Sequence, residues 1–294
     1  MRPLVDESPK ANVQPISVKQ SLLIVTFKCH FELKVSWKRV CSLVFNILKS
    51  DQCQTCPYSN VITMFATGEG ILAQKDAVTP DGLQQVFATN LFGHFLLVRE
   101  LEPVLCHAGR TSLLVWTSSS NAHHSAFNLE DMEHRTGTQP YSSSKYATDL
   151  LSLALNQHYN KQGLYSSVIC PGFVMTNLTY GILPSFPAFL WTLLMPVFWL
   201  IRVFTNTFTL TPYNGAEALF WLFRQKPESL DPYAKYHSLT SGLGNSYTRP
   251  HKMNITLETS ETLHVKLLQL EREMRTKLCQ REKETQTAGR LQKT

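Results

Sequence analysis

A tyrosine and a lysine stand four residues apart at the start of a candidate helix. Tyr141 and Lys145 lie in the stretch PYSSSKYATDLLSLAL, which has the pattern of an amphipathic helix. Residues at this spacing share one helix face. One interpretation is a surface tyrosine and a solvated lysine. The other is a general acid with the cation that tunes it, because a nearby ammonium lowers a phenol pKa from its ordinary value of about 10.

Two further polar features favour the second interpretation. The run TSLLVWTSSS is continuously apolar, as in a buried parallel strand, and it ends in Ser118, Ser119 and Ser120. Asn90 lies inside a helical pattern, although asparagine usually prefers caps and turns. A serine hydroxyl beside the tyrosine can hold a carbonyl oxygen while that oxygen gains negative charge. These residues together predict hydride transfer to a carbonyl group.

The elements that carry these residues alternate between helix and strand. Apolar spacing predicts a helix from residue 81 that ends near Pro103, and a short strand over 21–27. The other predicted elements are a strand over 111–120, a helix over 141–157, a strand over 164–170 that ends at Pro171-Gly172, and a helix over 214–223. This alternation predicts an α/β fold with a doubly wound parallel sheet. The polar residues would then meet at the carboxyl edge of the strands.

These motifs resemble those of the short-chain dehydrogenase/reductase family. The matching residues are Asn90 and Gly93 in TNLFGHF, Ser118-Ser119 after VWT, Tyr141 and Lys145 in YSSSK, and Pro171-Gly172 followed by Thr176. The resemblance implies a Rossmann-like fold and a nicotinamide cofactor.

The resemblance also implies a role for each matching residue. Tyr141 is the expected proton donor, and Lys145 is expected to lower its pKa and to hold the nicotinamide ribose. Ser119 is the expected catalytic serine by its place after the strand, with its two neighbours in the cluster as alternates. Asn90 is expected to anchor a water in the proton relay. The expected cofactor-binding residues are Tyr141, Lys145, Pro171, Gly172 and Thr176.

Longer stretches narrow the resemblance to the sterol-ketone reductases of this family, over about residues 61–275. Among them are TPDGLQQVFATNLFGHFLLVRELEPVLCH and FTLTPYNGAEALFWLFRQKPESL. This implies NADPH-dependent reduction of a 3-keto-sterol in cholesterol synthesis, and of estrone to estradiol. It also implies the endoplasmic reticulum membrane and a steroid or sterol substrate, with a homodimer as one candidate assembly.

An uncharged apolar segment, 182–201, is long enough to span a bilayer. Trp191 and Trp199 suit a membrane interface, whereas Pro184, Pro187 and Pro196 would interrupt a straight helix. A spanning helix, a membrane-dipping hairpin and a hydrophobic substrate lid all remain open. We expect membrane attachment of some kind.

The glycine-rich turn that would hold the cofactor's pyrophosphate is not found near the start of the chain. Residues 1–67 contain no glycine, and Gly68 and Gly70 have the wrong spacing. The N-terminal half of the nucleotide-binding unit is therefore expected to be missing or replaced, which predicts weak activity or none. The expected organisation is a divergent segment of low order over 1–60, a catalytic region over 61–250 and a charged helical tail over 251–294.

Composition excludes several other classes of function. The net charge of +6 comes without an arginine-rich block, so no nucleic-acid partner is expected. Cys53 and Cys56 form the only Cys-x-x-Cys pair, which lacks the second pair of a zinc ribbon, so no metal site is expected. In the tail, leucines at helical spacing predict a packed or membrane-surface helix, or a short coiled coil, capped by Thr259 or Ser260.

Overall fold

The computed structural model describes residues 21–25, 76–106, 111–174, 196, 198–200, 202–204 and 209–291. For residues 21–25 and 281–291 it describes the backbone alone. Several expectations from the sequence fall outside these ranges. They concern Cys53, Cys56, Thr176, most of residues 1–60 and most of the apolar segment 182–201.

Five strands form the sheet of the described residues. They are β1 Ser21–Val25, β2 Ser112–Thr117, β3 Leu164–Cys170, β4 Ala234–Thr240 and β5 Ser246–Lys252. Their spatial order follows the chain, with β1 to β4 parallel and β5 antiparallel to β4. The predicted α/β fold class with a parallel, Rossmann-like sheet is confirmed, and β1 confirms the short strand expected near residue 21.

Helices cover both faces of this sheet. They are α1 Gln85–Phe87, α2 Gly93–Leu105, α3 Pro140–Tyr159, α4 Pro212–Gly215, α5 Glu217–Phe223 and α6 Leu257–Leu291. In β2, Leu114 and Trp116 pack into the core that contains α2, α3 and α6, while Leu113 and Val115 pack against α5 on the other face. Burial on both faces explains why this strand is apolar without alternation.

A π-helical turn, Ala88–Phe92, joins α1 to α2 and places Asn90 inside a continuous helical segment, as the sequence predicted. The helix ends near Pro103 as expected, and α2 continues two residues further, to Leu105. A proline in the last turn removes only one backbone hydrogen bond, because only its own N–H is absent. The Cys106 N–H still donates to the Glu102 carbonyl at 2.8 Å. The helix therefore tolerates Pro103 near its C-terminus.

Helix α3 carries the Tyr-Lys pair in its first two turns, where both residues are partly buried. It begins at Pro140, whose fixed φ and missing N–H suit the first helical position. From Tyr146 to Asn156 every side chain is buried, because α3 is held between the sheet and α6. The predicted helix over 141–157 is thus confirmed, with slightly wider bounds.

Helix α6 packs against α3 through Leu263 and Leu267, which are fully buried. The packed helix was among the predicted alternatives and is the one observed. The expected cap was wrong: the helix begins at Leu257, and the hydroxyl of Thr256 accepts a bond from the Thr259 N–H at 3.3 Å. Thr259 and Ser260 both match the capping residue type, and only the position of the first turn distinguishes them from Thr256.

The hairpin of β4 and β5 was not predicted from the sequence. The stretch AKYHSLT in β4 carries a lysine and a histidine, so it does not read as an apolar strand, and β5 contains Pro250. Gly244, with φ of +93°, allows the turn between the two strands. The hairpin completes the sheet beside β3 and brings Lys235 and His237 close to the carboxyl edge of β2.

His237 gives the fold a pH dependence that can be measured. Burial lowers its pKa from 6.5 to about 4, and the positive charges of Lys235 and His251 act in the same direction. The unfolded chain therefore binds this proton near pH 6.5 and the folded chain near pH 4, so folding stability falls as the pH drops through that range. We expect His237→Gln to flatten this fall in urea unfolding at pH 7, 6 and 5. The same change at the exposed His124 should leave the wild-type slope, and an unchanged slope in His237→Gln would contradict the assignment.

Candidate active site

Tyr141 and Lys145 lie together in the first two turns of α3, at the carboxyl end of β2. The Lys145 Nζ is 5.7 Å from the centroid of the Tyr141 ring and donates a hydrogen bond to the Thr117 carbonyl at 2.9 Å. The end of β2 thus fixes the ammonium, while the helical spacing fixes the phenol beside it.

The three serines after β2 have different neighbours. The Ser119 hydroxyl lies near enough to the Tyr141 phenol to lower its pKa. The Ser118 hydroxyl donates to the Lys145 carbonyl at 3.3 Å, and it lies near enough to Asp149 to lower the pKa of that carboxyl. The Ser120 hydroxyl lies near the thiol of Cys170 at the end of β3 and lowers its pKa slightly. Of the three, Ser119 is the one placed to share a carbonyl oxygen with Tyr141.

The pKa of Tyr141 lies above the ordinary value of 10, opposite to the direction expected from the sequence. Burial raises it most, the hydrogen bond from Ser119 lowers it, and the nearby Cys170 raises it further. Desolvation of the phenolate therefore raises the pKa by more than Ser119 lowers it. In this arrangement Tyr141 holds its proton at neutral pH, which is the form that a proton donor to a carbonyl oxygen needs.

Asn90 reaches the same cluster from the π-helical turn. Its amide Nδ2 donates to the Ser144 hydroxyl at 3.1 Å, and that hydroxyl donates to the Tyr141 carbonyl at 2.8 Å. Ser144 therefore links Asn90 to the first turn of α3, a contact that sequence analysis did not predict. The π-helical turn has an extra residue per turn, which shifts its side chains relative to those of a regular α-helix. This gives a physical reason for an asparagine at this position in a helix.

Pro171 and Gly172 follow β3 at the same edge of the sheet. Gly172 has φ of +70°, a conformation that favours glycine. The Pro171 carbonyl accepts a hydrogen bond from the Thr209 hydroxyl at 2.9 Å. A Cβ atom on Gly215 would lie 2.5 Å from the Cγ2 atom of Val174, so a side chain at this position would clash. The turn is thus held tightly against α4 and the residues that precede it.

A buried ion pair that sequence analysis missed lies directly beneath the serines. The Lys235 Nζ is 2.6 Å from the Asp149 Oδ2, and both side chains are more than nine-tenths buried. Lys235 also donates to the Ser119 carbonyl at 2.9 Å. Burial raises the pKa of Asp149, and the Lys235 ammonium opposes that rise. The sequence signal for this ion pair is a charged residue inside each of two otherwise packed elements. These residues are Asp149 in TDLLSLAL and Lys235 in AKYHSLT.

A cavity of about 350 Å³ adjoins this ion pair, at the low end of the range for small-molecule sites. It lies between the loop after β2, helix α3 and the β4–β5 hairpin. Its lining residues are mostly polar: Ser120, Ala122, His123, His124, Tyr146, Asp149, Lys235, His237, His251, Lys252, Met253 and Asn254.

The residues at this edge suit the nicotinamide half of a dinucleotide. Lys145 offers an ammonium beside the Tyr141 phenol, and the glycine at 172 leaves the backbone after β3 without a side chain. For the pyrophosphate half, residues 1–67 contain no glycine to let the backbone approach a phosphate closely. The site therefore fits the reacting end of the cofactor better than its remote end.

Comparison with known proteins agrees with this geometry. The model of the short chain dehydrogenase family matches residues 61–184. A protein of Rattus norvegicus named 3-keto-steroid reductase/17-beta-hydroxysteroid dehydrogenase 7 is 52% identical over 280 residues, covering 92% of this chain and 83% of the relative. Its Homo sapiens counterpart is 50% identical over 294 residues, covering 97% of this chain and 85% of the relative. That alignment extends into residues 1–60.

Among solved structures, an uncharacterized protein from Mycobacterium Paratuberculosis has a TM-score of 0.44 at 22% identity, covering 67% of this chain and 62% of that one. The family assignment depends on the sequence relatives instead. Their identity and coverage, with the family motifs gathered at one sheet edge, show that the chain belongs to the short-chain dehydrogenase/reductase family of oxidoreductases, which use a nicotinamide cofactor.

Proposed function

We propose that this chain reduces a steroid or sterol ketone to the alcohol with NADPH. The observation that carries the proposal is the contact of the Ser119 hydroxyl with the Tyr141 phenol, with the Lys145 ammonium 5.7 Å from the same ring. The names of the rat and human relatives supply the substrate class, a 3-keto-steroid or a 17-keto-steroid. Reduction of a 3-keto-sterol in cholesterol synthesis, and of estrone to estradiol, are the specific reactions proposed.

Each residue of the site has a part in this reaction. When bound, the cofactor supplies a hydride to the carbonyl carbon. Tyr141 gives its phenolic proton to the carbonyl oxygen, so that the ketone becomes an alcohol. Ser119 holds that oxygen while negative charge develops on it. Lys145 stabilises the phenolate left on Tyr141 and holds the nicotinamide ribose, and Asn90 anchors a water that returns the proton.

NADPH rather than NADH is proposed from the family resemblance, with Tyr141, Lys145, Pro171, Gly172 and Thr176 around the nicotinamide. Because residues 1–67 contain no glycine, we expect NADPH to bind weakly. Binding energy from the remote end of a cofactor is what positions its reacting end. A second candidate function follows from the same observation: a catalytically impaired protein that acts as a membrane-bound interaction partner.

We also propose that the chain attaches to the endoplasmic reticulum membrane and that it forms a homodimer. No helix among the described residues is both long and apolar enough to cross a bilayer. Four apolar side chains close in sequence are nevertheless exposed, at Trp199, Leu200, Val203 and Phe204. Such a group favours contact with a membrane surface or another protein. Carbonate extraction of membranes tests this attachment. We expect the chain to stay in the membrane pellet.

An assay of NADPH oxidation with a 3-keto-steroid tests the proposed reaction. We expect steroid-dependent oxidation at a low rate that rises with NADPH concentration up to the millimolar range, because the cofactor binds weakly. Isothermal titration calorimetry with NADPH gives the affinity separately. No oxidation at saturating NADPH favours the interaction protein, whereas tight binding contradicts the expected loss of the pyrophosphate cradle.

A further inference from the structure

Two histidines and a glutamate meet away from the catalytic residues, where the end of α3 packs against α6. His158 lies in the last turn of α3, and Glu261 and His264 lie one turn apart near the start of α6. The His158 Nε2 is 2.7 Å from the Glu261 Oε2, and the two imidazole rings are 4.6 Å apart between centroids. One ligand atom from each of the three residues lies within 4.8 Å of the other two.

Two buried atoms of this cluster have unmet bonding capacity. His264 is only 4% exposed, and its Nε2 has no hydrogen-bond partner among the described residues. The Oε1 of Glu261 is also buried without a partner in the described part of the chain. Buried polar atoms are almost always satisfied, so two such atoms in one cluster indicate a missing ligand. Because imidazole nitrogens and carboxylate oxygens offer lone pairs, a cation is the ligand that suits them all.

We propose that His158, Glu261 and His264 bind a Zn²⁺ ion that ties α6 to the end of α3. Two imidazoles and one carboxylate are a zinc donor set, and three protein ligands leave the fourth position to water. Bonds of about 2.0–2.1 Å would place the ligand atoms roughly 3.4 Å apart in tetrahedral geometry. The His158 Nε2 and the Glu261 Oε2 lie 2.7 Å apart and the ligand atoms of all three residues lie within 4.8 Å of one another, so metal binding needs side-chain adjustments of about 1 Å.

The site changes one hydrogen bond of the cluster. Without metal, a hydrogen lies between the His158 Nε2 and the Glu261 Oε2. With metal, the His158 Nε2 and the Glu261 carboxylate bind the ion through lone pairs, and the ring of His158 keeps its hydrogen on Nδ1. The sequence did not predict this site because His158 is 103 residues from Glu261, and because a single Glu-x-x-His spacing in α6 is a weak signal.

Metal binding to the full-length chain tests the proposal. After dialysis against EDTA and removal of the chelator, we expect one equivalent of Zn²⁺ by calorimetry and a Tm that rises with Zn²⁺ concentration. Co²⁺ should bind with the visible absorption of a tetrahedral site. His158→Ala, Glu261→Gln and His264→Gln should each weaken binding at least 10-fold. Glu258→Gln, one turn earlier on the same exposed helix start, and His124→Ala are the matched controls and should bind as the wild type does.

Two results overturn the proposal. One is the absence of saturable Zn²⁺ binding, in which case a water satisfies the buried atoms. The other is binding that the three cluster variants retain at wild-type strength, in which case the metal lies elsewhere. His158 has a side chain 44% exposed, so His158→Ala should fold even if the buried His264→Gln does not. That variant keeps the test decisive.

Discussion

Tyr141→Phe should lower the rate of steroid-dependent NADPH oxidation by about 10²–10⁴-fold, the range for removing a positioned general acid. Phenylalanine keeps the ring beside Lys145 and removes only the hydroxyl that contacts Ser119. The effect should fall on kcat, because the lost interaction is made in the transition state. NADPH affinity, measured by calorimetry, should change much less.

Tyr146→Phe is the matched control for this change. Tyr146 lies on the same helix, and its hydroxyl donates to the Asn254 carbonyl at 2.8 Å, away from Ser119. We expect this variant to keep most of the wild-type rate. Equal losses in the two variants would point to damage to α3 instead of a lost proton donor. A Tyr141→Phe enzyme as active as the wild type would remove Tyr141 from the reaction.

Lys235→Met should cost about 3–5 kcal/mol of folding stability, because it leaves the Asp149 carboxylate buried without its partner. Urea unfolding followed by tryptophan fluorescence measures the change. Lys252→Met is the control: Lys252 lies on the neighbouring strand and lines the same cavity, but it is exposed. That change should shift stability by less than about 0.5 kcal/mol.

A double variant separates the ion pair from simple packing. Lys235→Met with Asp149→Leu removes both charges, so it should recover much of the lost stability. Ser119 would still lose the hydrogen bond to its carbonyl, and the reduction rate should therefore stay below that of the wild type. If the double variant is no more stable than Lys235→Met alone, an uncompensated charge is not the cause of the loss.

The parallel sheet and its crossover helices could be predicted from the sequence, because burial on both faces leaves a continuous apolar run in β2 and a helical period in α3. The β4–β5 hairpin could not. Its strands carry Lys235, His237 and Pro250, whose polar character reflects partners on distant elements. Helix ends were less predictable as well, since several hydroxyl residues near Thr256 match the capping type equally.

The sequence by itself determined which residues are candidates for the chemistry of the site. Tyr141 and Lys145 meet because helical periodicity alone places them on one face, and Ser119 and Gly172 follow from their places after strands. Tertiary structure decided which serine contacts the phenol and that burial raises the pKa of Tyr141. It also decided that Asp149 and Lys235 support the cluster. Burial and long-range pairing depend on the packing of elements far apart in the chain, which local spacing does not encode.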